Sequence, residues 1–392
     1  MRVSIATLLP KATELLFDLL TPHGFLASTQ KSDNYKRIWA RDSVVCGLAG
    51  VLLNEDRLLD GLHRSLRTLG DRQHDLGMIP SNVAPEEDTV SYGSLVGRID
   101  TASWWILGAC FYYKHSSDDD FWDYAQPIIK KARTFLQASE FNGKGWIYTP
   151  LSGNWADEYP VHGYTLYDNV LRLWAEQIWS ELSNKKNSYE SITERTRQNF
   201  WPLPEMESHH AYQRVPFETL QQQELSHFVS FILPGIYDQR FDAAGNSLAM
   251  LLYSLSEAQK RGVSKGLTNF KKELGTTLIP AFWPIITETS EDYFLLKGNY
   301  SYAFKNRAGH FHNGGIWPVW MGLFCLGLAR QKMHDDLSEI VTSFENTLEN
   351  QPRWNFHEYL DAKTLAPGGT PSLGYTASGI VFMHAALNDN YL

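Results

Sequence analysis

The chain is poor in cysteine, with three in 392 residues. Cys46, Cys110 and Cys325 each sit among apolar neighbours on an expected helix, a spacing that suits neither a disulfide framework nor a zinc cluster and predicts buried packing residues in a reducing cytoplasm. Positive charge is also short, 35 Lys and Arg against 44 Asp and Glu, for a net charge of -9. That balance excludes affinity built on neutralising phosphates or anionic headgroups, so neither nucleic acid nor a membrane is expected as a partner. Long apolar runs are missing. The opening MRVSIATLLPKATELLFDLL is broken by Pro10, Lys11, Glu14 and Asp18, which makes it an amphipathic helix rather than a signal peptide. No stretch approaches the roughly 20 apolar residues of a membrane span. Neither G-x-x-x-x-G-K nor a strand-associated G-x-G-x-x-G occurs, which excludes phosphate-loop and dinucleotide readings. The histidines show no H-x-x-x-H type of spacing, so no metal and no cofactor is expected.

What the chain has in quantity is aromatic side chains: 13% of its residues, 13 of them Trp. Most belong to a core, but aromatic rings also stack on sugar faces, and many Trp in an acidic chain fit a carbohydrate cleft. Apolar residues recur at helical spacing in twelve stretches, over 4–20, 42–54, 57–72, 101–114, 119–138, 163–182, 188–200, 242–261, 263–275, 315–331, 334–349 and 375–388. Connections at Asn54 to Asp56 and Ser116 to Asp118 are short enough to force antiparallel neighbours, whereas long connections recur after every second helix. Six helix pairs with elaborate loops at one end predict an all-α, (α/α)6 barrel, a six-hairpin toroid whose long loops form a cleft. No composition break divides residues 1–392, so one catalytic domain is expected, while self-association is left open.

At the loop-to-helix junctions stand YKRIWARDS, GRIDTASWW, SGNWADEYPVHGYTLYDN, AGHFHNGGIWPVW and NFHEYLDAKTLAPGG, which mix aromatic rings with a carboxylate or amide and, in all but the first, with Gly. Asp100, ahead of an apolar helix carrying Trp104 and Trp105, reads either as a general acid kept protonated by burial or as a helix N-cap. Glu358, in a Gly- and Pro-rich loop, reads as its ionised partner or as an exposed loop residue. Arg41 and Asp42 are expected to pair with each other, cap their helix or hold sugar hydroxyls. Trp39, Trp104, Trp155, Asp157, Glu158, Tyr164 and Trp317 complete the expected saccharide-binding set. His312 and Asn313 are placed to bind a hydroxyl or to cap a helix.

At these motifs the chain resembles the neutral and alkaline invertases of glycoside hydrolase family 100 and, more loosely, other (α/α)6-barrel glycosidases. IWARDS, GMIPSN, GRIDTASWW, QRFDAAGN, HNGGIWPVW, HEYLD and SLGYTASG carry the likeness, spread over about residues 35–388, with HNGGIWPV and D-x-x-x-WW the more specific. The resemblance implies hydrolysis of sucrose with inversion, with Asp100 as acid and Glu358 as base. Inversion requires carboxyl groups roughly 6.5–9.5 Å apart. The chain departs from the family at 152–169, where SGNWADEYPVHGY replaces an Arg-rich stretch, and an inverting α-glucosidase acting on another gluco-oligosaccharide is the alternative. A sugar epimerase or isomerase using His312 and His357 is a more distant one.

Overall fold

The structure, a computed structural model, describes residues 3–30, 33–183 and 189–392; residue 188, the expected start of one helix, lies outside that set. Fourteen α-helices occur among the described residues. They are α1 (Ile5–Asp18), α2 (Ala40–Leu53), α3 (Asp56–Gly70), α4 (Asp100–Ser116), α5 (Asp119–Ala138), α6 (Leu166–Leu182), α7 (Glu190–Phe200), α8 (Arg214–Gln221), α9 (Ala243–Leu252), α10 (Glu257–Leu274), α11 (Tyr293–Gly298), α12 (Pro318–Arg330), α13 (His334–Glu349) and α14 (Gly374–Leu387).

Six of them pack in a closed ring in the order α2, α4, α6, α9, α12, α14 and back to α2. Their sequences explain the position. In α12 every residue from Pro318 to Ala329 is buried, as a helix enclosed on all sides requires. The outer helices bury one stripe. In α3, Leu58, Leu62, Leu66 and Leu69 turn inward at helical spacing, and each such leucine contributes roughly 1.5–3 kcal/mol of burial. Helices α3, α5, α7 and α13 lie against α2, α4, α6 and α12, while α1 lies against α14. Helix α10 faces the ring across a small apolar cavity lined by Met250, Val263, Leu267, Phe270 and Phe324. The expected (α/α)6 barrel is therefore the fold.

Two expected starts move in by three residues, to Leu166 and Pro318, and one boundary between helices moves further. Apolar periodicity alone predicts helices over 242–261 and 263–275, but α9 stops at Leu252, where Tyr253 turns extended, and α10 starts at Glu257. Ser256 and Gln259 form a reciprocal capping box there, and this polar signal outweighs the apolar period that runs across it. The long loops also contain the short helices α8 and α11 and a set of two- and three-residue strands.

Those strands stitch the loops together. Each inner helix opens beside a backbone N–H that bonds to the loop leading to the next inner helix. The six bonds are Ala40 to Ser81 O, Ile99 to Gly153 O, Leu166 to Ser230 O, Ala243 to Ala281 O, Ile316 to Leu360 O and Gly374 to Ala27 O. N–H groups at a helix start lack intrahelical acceptors, so each bond satisfies an otherwise orphaned donor while tying two loops. The last bond joins the final helix to the first long loop and closes the circle.

Candidate active site

The inner helices all open toward the stitched loops, and four consecutive openings bear a carboxylate: Asp42 on α2, Asp100 on α4, Asp168 on α6 and Asp242 before α9. The partial positive charge at a helix N-terminus favours anions there. Asp100 is wholly buried. Arg41 Nη1 donates to its Oδ2 at 2.7 Å, and the Tyr167 hydroxyl donates to the same oxygen at 2.9 Å. Its other oxygen, Oδ1, is buried with no hydrogen-bond partner. The cap position of α4 belongs to Ile99, without a side-chain cap, so the N-cap reading of Asp100 is corrected: its carboxylate turns to Arg41 and Tyr167 instead.

Glu358 is 8% exposed, not an exposed loop residue. The strand Tyr359–Leu360 pairs with Pro367–Gly368 and bridges to Ile316, which holds the loop against α12. The Tyr35 hydroxyl donates to Glu358 Oε1 at 3.0 Å and the Thr370 N–H to Oε2 at 3.3 Å. Beneath them Gly369 has φ +73°, and a Cβ there would fall on the Glu358 carboxylate, so the position requires glycine on both counts. Burial pushes the Glu358 carboxyl above the usual carboxylate range, against the pull of Lys305. Asp42 feels both ends of the site: burial raises it, Arg41 opposes, and it senses Asp100 while adding to the field at Glu358. Asp42, at the opening of α2, thus lies within electrostatic reach of both carboxyl groups.

The remaining expected residues divide. Arg41 pairs with Asp100 rather than with its neighbour Asp42, because the helix turns the two side chains in different directions. Trp39 caps α2 through its backbone. His312 is buried, stacks on Trp317 at 5.5 Å and meets Trp155 edge-on at 5.0 Å. Burial drives His312 well below the ordinary histidine range, which keeps it neutral. The cap of α12 belongs to Trp317, so neither His312 nor Asn313 caps that helix. Asn313 is consumed by the Ile286 N–H and C=O and by Asn306, so it clamps a loop rather than meeting ligand. Trp104 is fully buried with its indole N–H on Tyr167, which removes it as a stacking platform. Asp157 pairs with Arg98, and Glu158 accepts from the Ser301 N–H with its second oxygen buried and unpartnered. Tyr164 bonds Asn142 and packs on Trp146, Tyr148 and Tyr212, on the α7 side and apart from the carboxylates.

Sequence reasoning missed Tyr35, Tyr167, Tyr375 and Lys305. Tyr167 and Tyr375 lie in the first turns of α6 and α14, the same place as Asp42 and Asp100, and superposing the helix openings finds them. Tyr35 and Lys305 sit in loops with no periodic signal. Among the described residues no three His, Cys, Asp or Glu side chains converge as metal ligands do, and no helix is long and apolar enough to cross a membrane.

Comparison with known proteins agrees with this architecture. The profile of the alkaline and neutral invertase family matches residues 217–382, a segment that contains Glu358 but not Asp100. No curated protein sequence matches the chain. Among solved structures, the family 63 mannosylglycerate hydrolase of Thermus thermophilus in complex with glucose superposes with a TM-score of 0.64 at 12% identity, over 96% of this chain and 99% of that one. The glucoamylase of Saccharomycopsis fibuligera gives 0.66 at 12% identity, over 99% and 96%. At such identities the superpositions speak for the fold, and the family match speaks for the chemistry. The chain is a glycoside hydrolase of the (α/α)6-barrel type, similar over residues 217–382 to the alkaline and neutral invertases.

Proposed function

We propose that the chain hydrolyses sucrose or a closely related disaccharide with inversion, Asp100 acting as general acid and Glu358 as general base. The observation that carries this reading is the asymmetry of the two carboxyl groups. Asp100 keeps one buried oxygen without a partner, the oxygen from which a proton is delivered to the glycosidic oxygen. Glu358 is held by Tyr35 and Thr370 and faced by Lys305, three groups that favour the carboxylate against the upward push of burial, and that carboxylate activates water on the opposite side of the sugar. In one step the glycosidic bond breaks as the Asp100 proton reaches the leaving oxygen. Water adds to the anomeric carbon and yields its proton to Glu358. The neutral, Trp-stacked His312 is better suited to packing beside a sugar than to the paired-histidine proton transfer of an isomerase.

The test is turnover of Asp100→Asn and Glu358→Gln on sucrose, maltose, trehalose, isomaltose and kojibiose, with proton NMR of the first-formed anomer. Each variant should fold normally and lose roughly 10²–10⁴-fold in kcat, the range of general acid–base contributions, and the wild type should release the inverted anomer. Near-full activity in either variant, or release of the retained anomer, would refute the assignment. A different preferred disaccharide would leave the mechanism standing and select the α-glucosidase alternative.

A further inference from the structure

Asp100 belongs to a chain of donors that the proposed reaction does not by itself account for. The Trp104 indole N–H, one turn along α4, donates to the Tyr167 hydroxyl at 2.7 Å. That hydroxyl, with its only proton, donates onward to Asp100 Oδ2 at 2.9 Å. All three side chains are fully buried. An indole N–H cannot accept, so it fixes the direction of the pair: tyrosine is acceptor from Trp104 and donor to Asp100. Arg41 Nη1 takes a second lone pair of the same Oδ2 at 2.7 Å. Both donors converge on one oxygen and leave the other unpartnered.

We propose that Tyr167, aimed by Trp104, is a positioning residue for the acid: it occupies Oδ2 so that the catalytic proton is held on Oδ1 and delivered from there. This rests on the assignment of Asp100 made above. A carboxyl group whose Oδ2 already receives two donors has no place for a proton on that oxygen, so the neutral form carries it on Oδ1. The aromatic plane also fixes the carboxyl torsion, which keeps Oδ1 aligned with the leaving oxygen. The groups that face Asp100 are Arg41 and Asp42 from α2, Tyr167 and Asp168 from α6, and Tyr375 from α14. Among them Tyr167 is the one that touches the carboxylate without bringing charge. Burial raises the Tyr167 hydroxyl far above its ordinary range, so it stays a donor throughout the working pH.

The experiment compares Tyr167→Phe, Trp104→Phe and Asp100→Asn on two substrates: the preferred disaccharide, whose leaving oxygen must be protonated, and α-glucosyl fluoride, whose fluoride leaves without a proton. Tyr167→Phe should lower kcat on the disaccharide about tenfold or more, stay within about twofold on the fluoride, and move the alkaline limb of kcat to higher pH. The limb moves up because a hydroxyl that stabilised the ionised carboxylate is gone. Trp104→Phe should change the same quantities in the same sense, by less. Equal losses on both substrates with an unmoved limb would mean a merely structural tyrosine and overturn the proposal. So would a Tyr167→Phe protein that matches the wild type on the disaccharide while Asp100→Asn is impaired, a result that leaves Asp100 as acid. If Asp100→Asn itself turned over the disaccharide normally, both this proposal and the function it rests on would fall.

Discussion

Lys305 shows how much of the electrostatics around Glu358 depends on single side chains that no pattern announces. It is exposed and places its ammonium over the Phe311 ring at 5.1 Å, and it is the charge that most opposes the upward push of burial on Glu358. A base must be ionised to work, so if Glu358 is the base, as proposed, the acid limb of kcat/KM tracks it. Lys305→Met removes a charge that favours the carboxylate, which moves that limb to higher pH, and the difference from wild type should shrink in high salt because an exposed ammonium is screened. A pH profile at two ionic strengths checks this. Asp100 and Glu358 stand out in the sequence because D-x-x-x-WW and HEYLD are distinctive strings. Tyr35 and Lys305 do not, since their roles follow from where loops lie in space and not from spacing along the chain. Asn313 misleads for a related reason: a polar residue beside glycines looks like a ligand group until its partners, Ile286 and Asn306, are known.

Among the elements, the openings of the inner helices hold three fully buried carboxylates, Asp100, Asp168 and Asp242. Asp242 caps α9 by accepting from the Ala244 N–H at 3.0 Å, and burial lifts its carboxyl to about 7. A carboxyl whose folded pKa exceeds its unfolded value binds more protons folded than unfolded. Its contribution to stability is therefore present in acid and lost as pH rises from near 4 toward 7. Asp242→Asn keeps an acceptor for the cap and removes the buried charge, so its thermal midpoint relative to wild type should be higher at about pH 8 than at about pH 4. Thermal unfolding at the two pH values measures the sign. The helices themselves are readable from apolar period nearly everywhere, and α13 and α5 run over the expected residues, 334–349 and 119–138. The failure at α9 and α10 comes from weighting apolar spacing above the polar Ser256 and Gln259 cap. The short strands of the loops escape because two or three residues carry no period.

At the level of the whole molecule, the ring is drawn tightest where α12 meets α14. Gly322 and Gly379 face one another there, and a Cβ on either would collide with the backbone of the opposite helix. Gly379→Ala should push the two helices apart and cost several kcal/mol, within the range of strained and overpacked core substitutions, lowering the thermal midpoint by several degrees. The same change at Gly298, where no atom lies nearby, should leave the midpoint within about a degree. The toroid is foreseeable from the alternation of short and long connections, whereas this close approach is not, because its two glycines lie 57 positions apart (379 less 322) and meet only after closure.

That closure also imposes a schedule. The bond from Gly374 to Ala27 links a late-made part of a growing polypeptide to an early one, and Glu358 leaves the ribosome long after Asp100. A nascent chain still lacking α14 has no completed circle, so the ring of loops around Asp100 and Glu358 is complete only once that helix has been made, all at once and not by degrees.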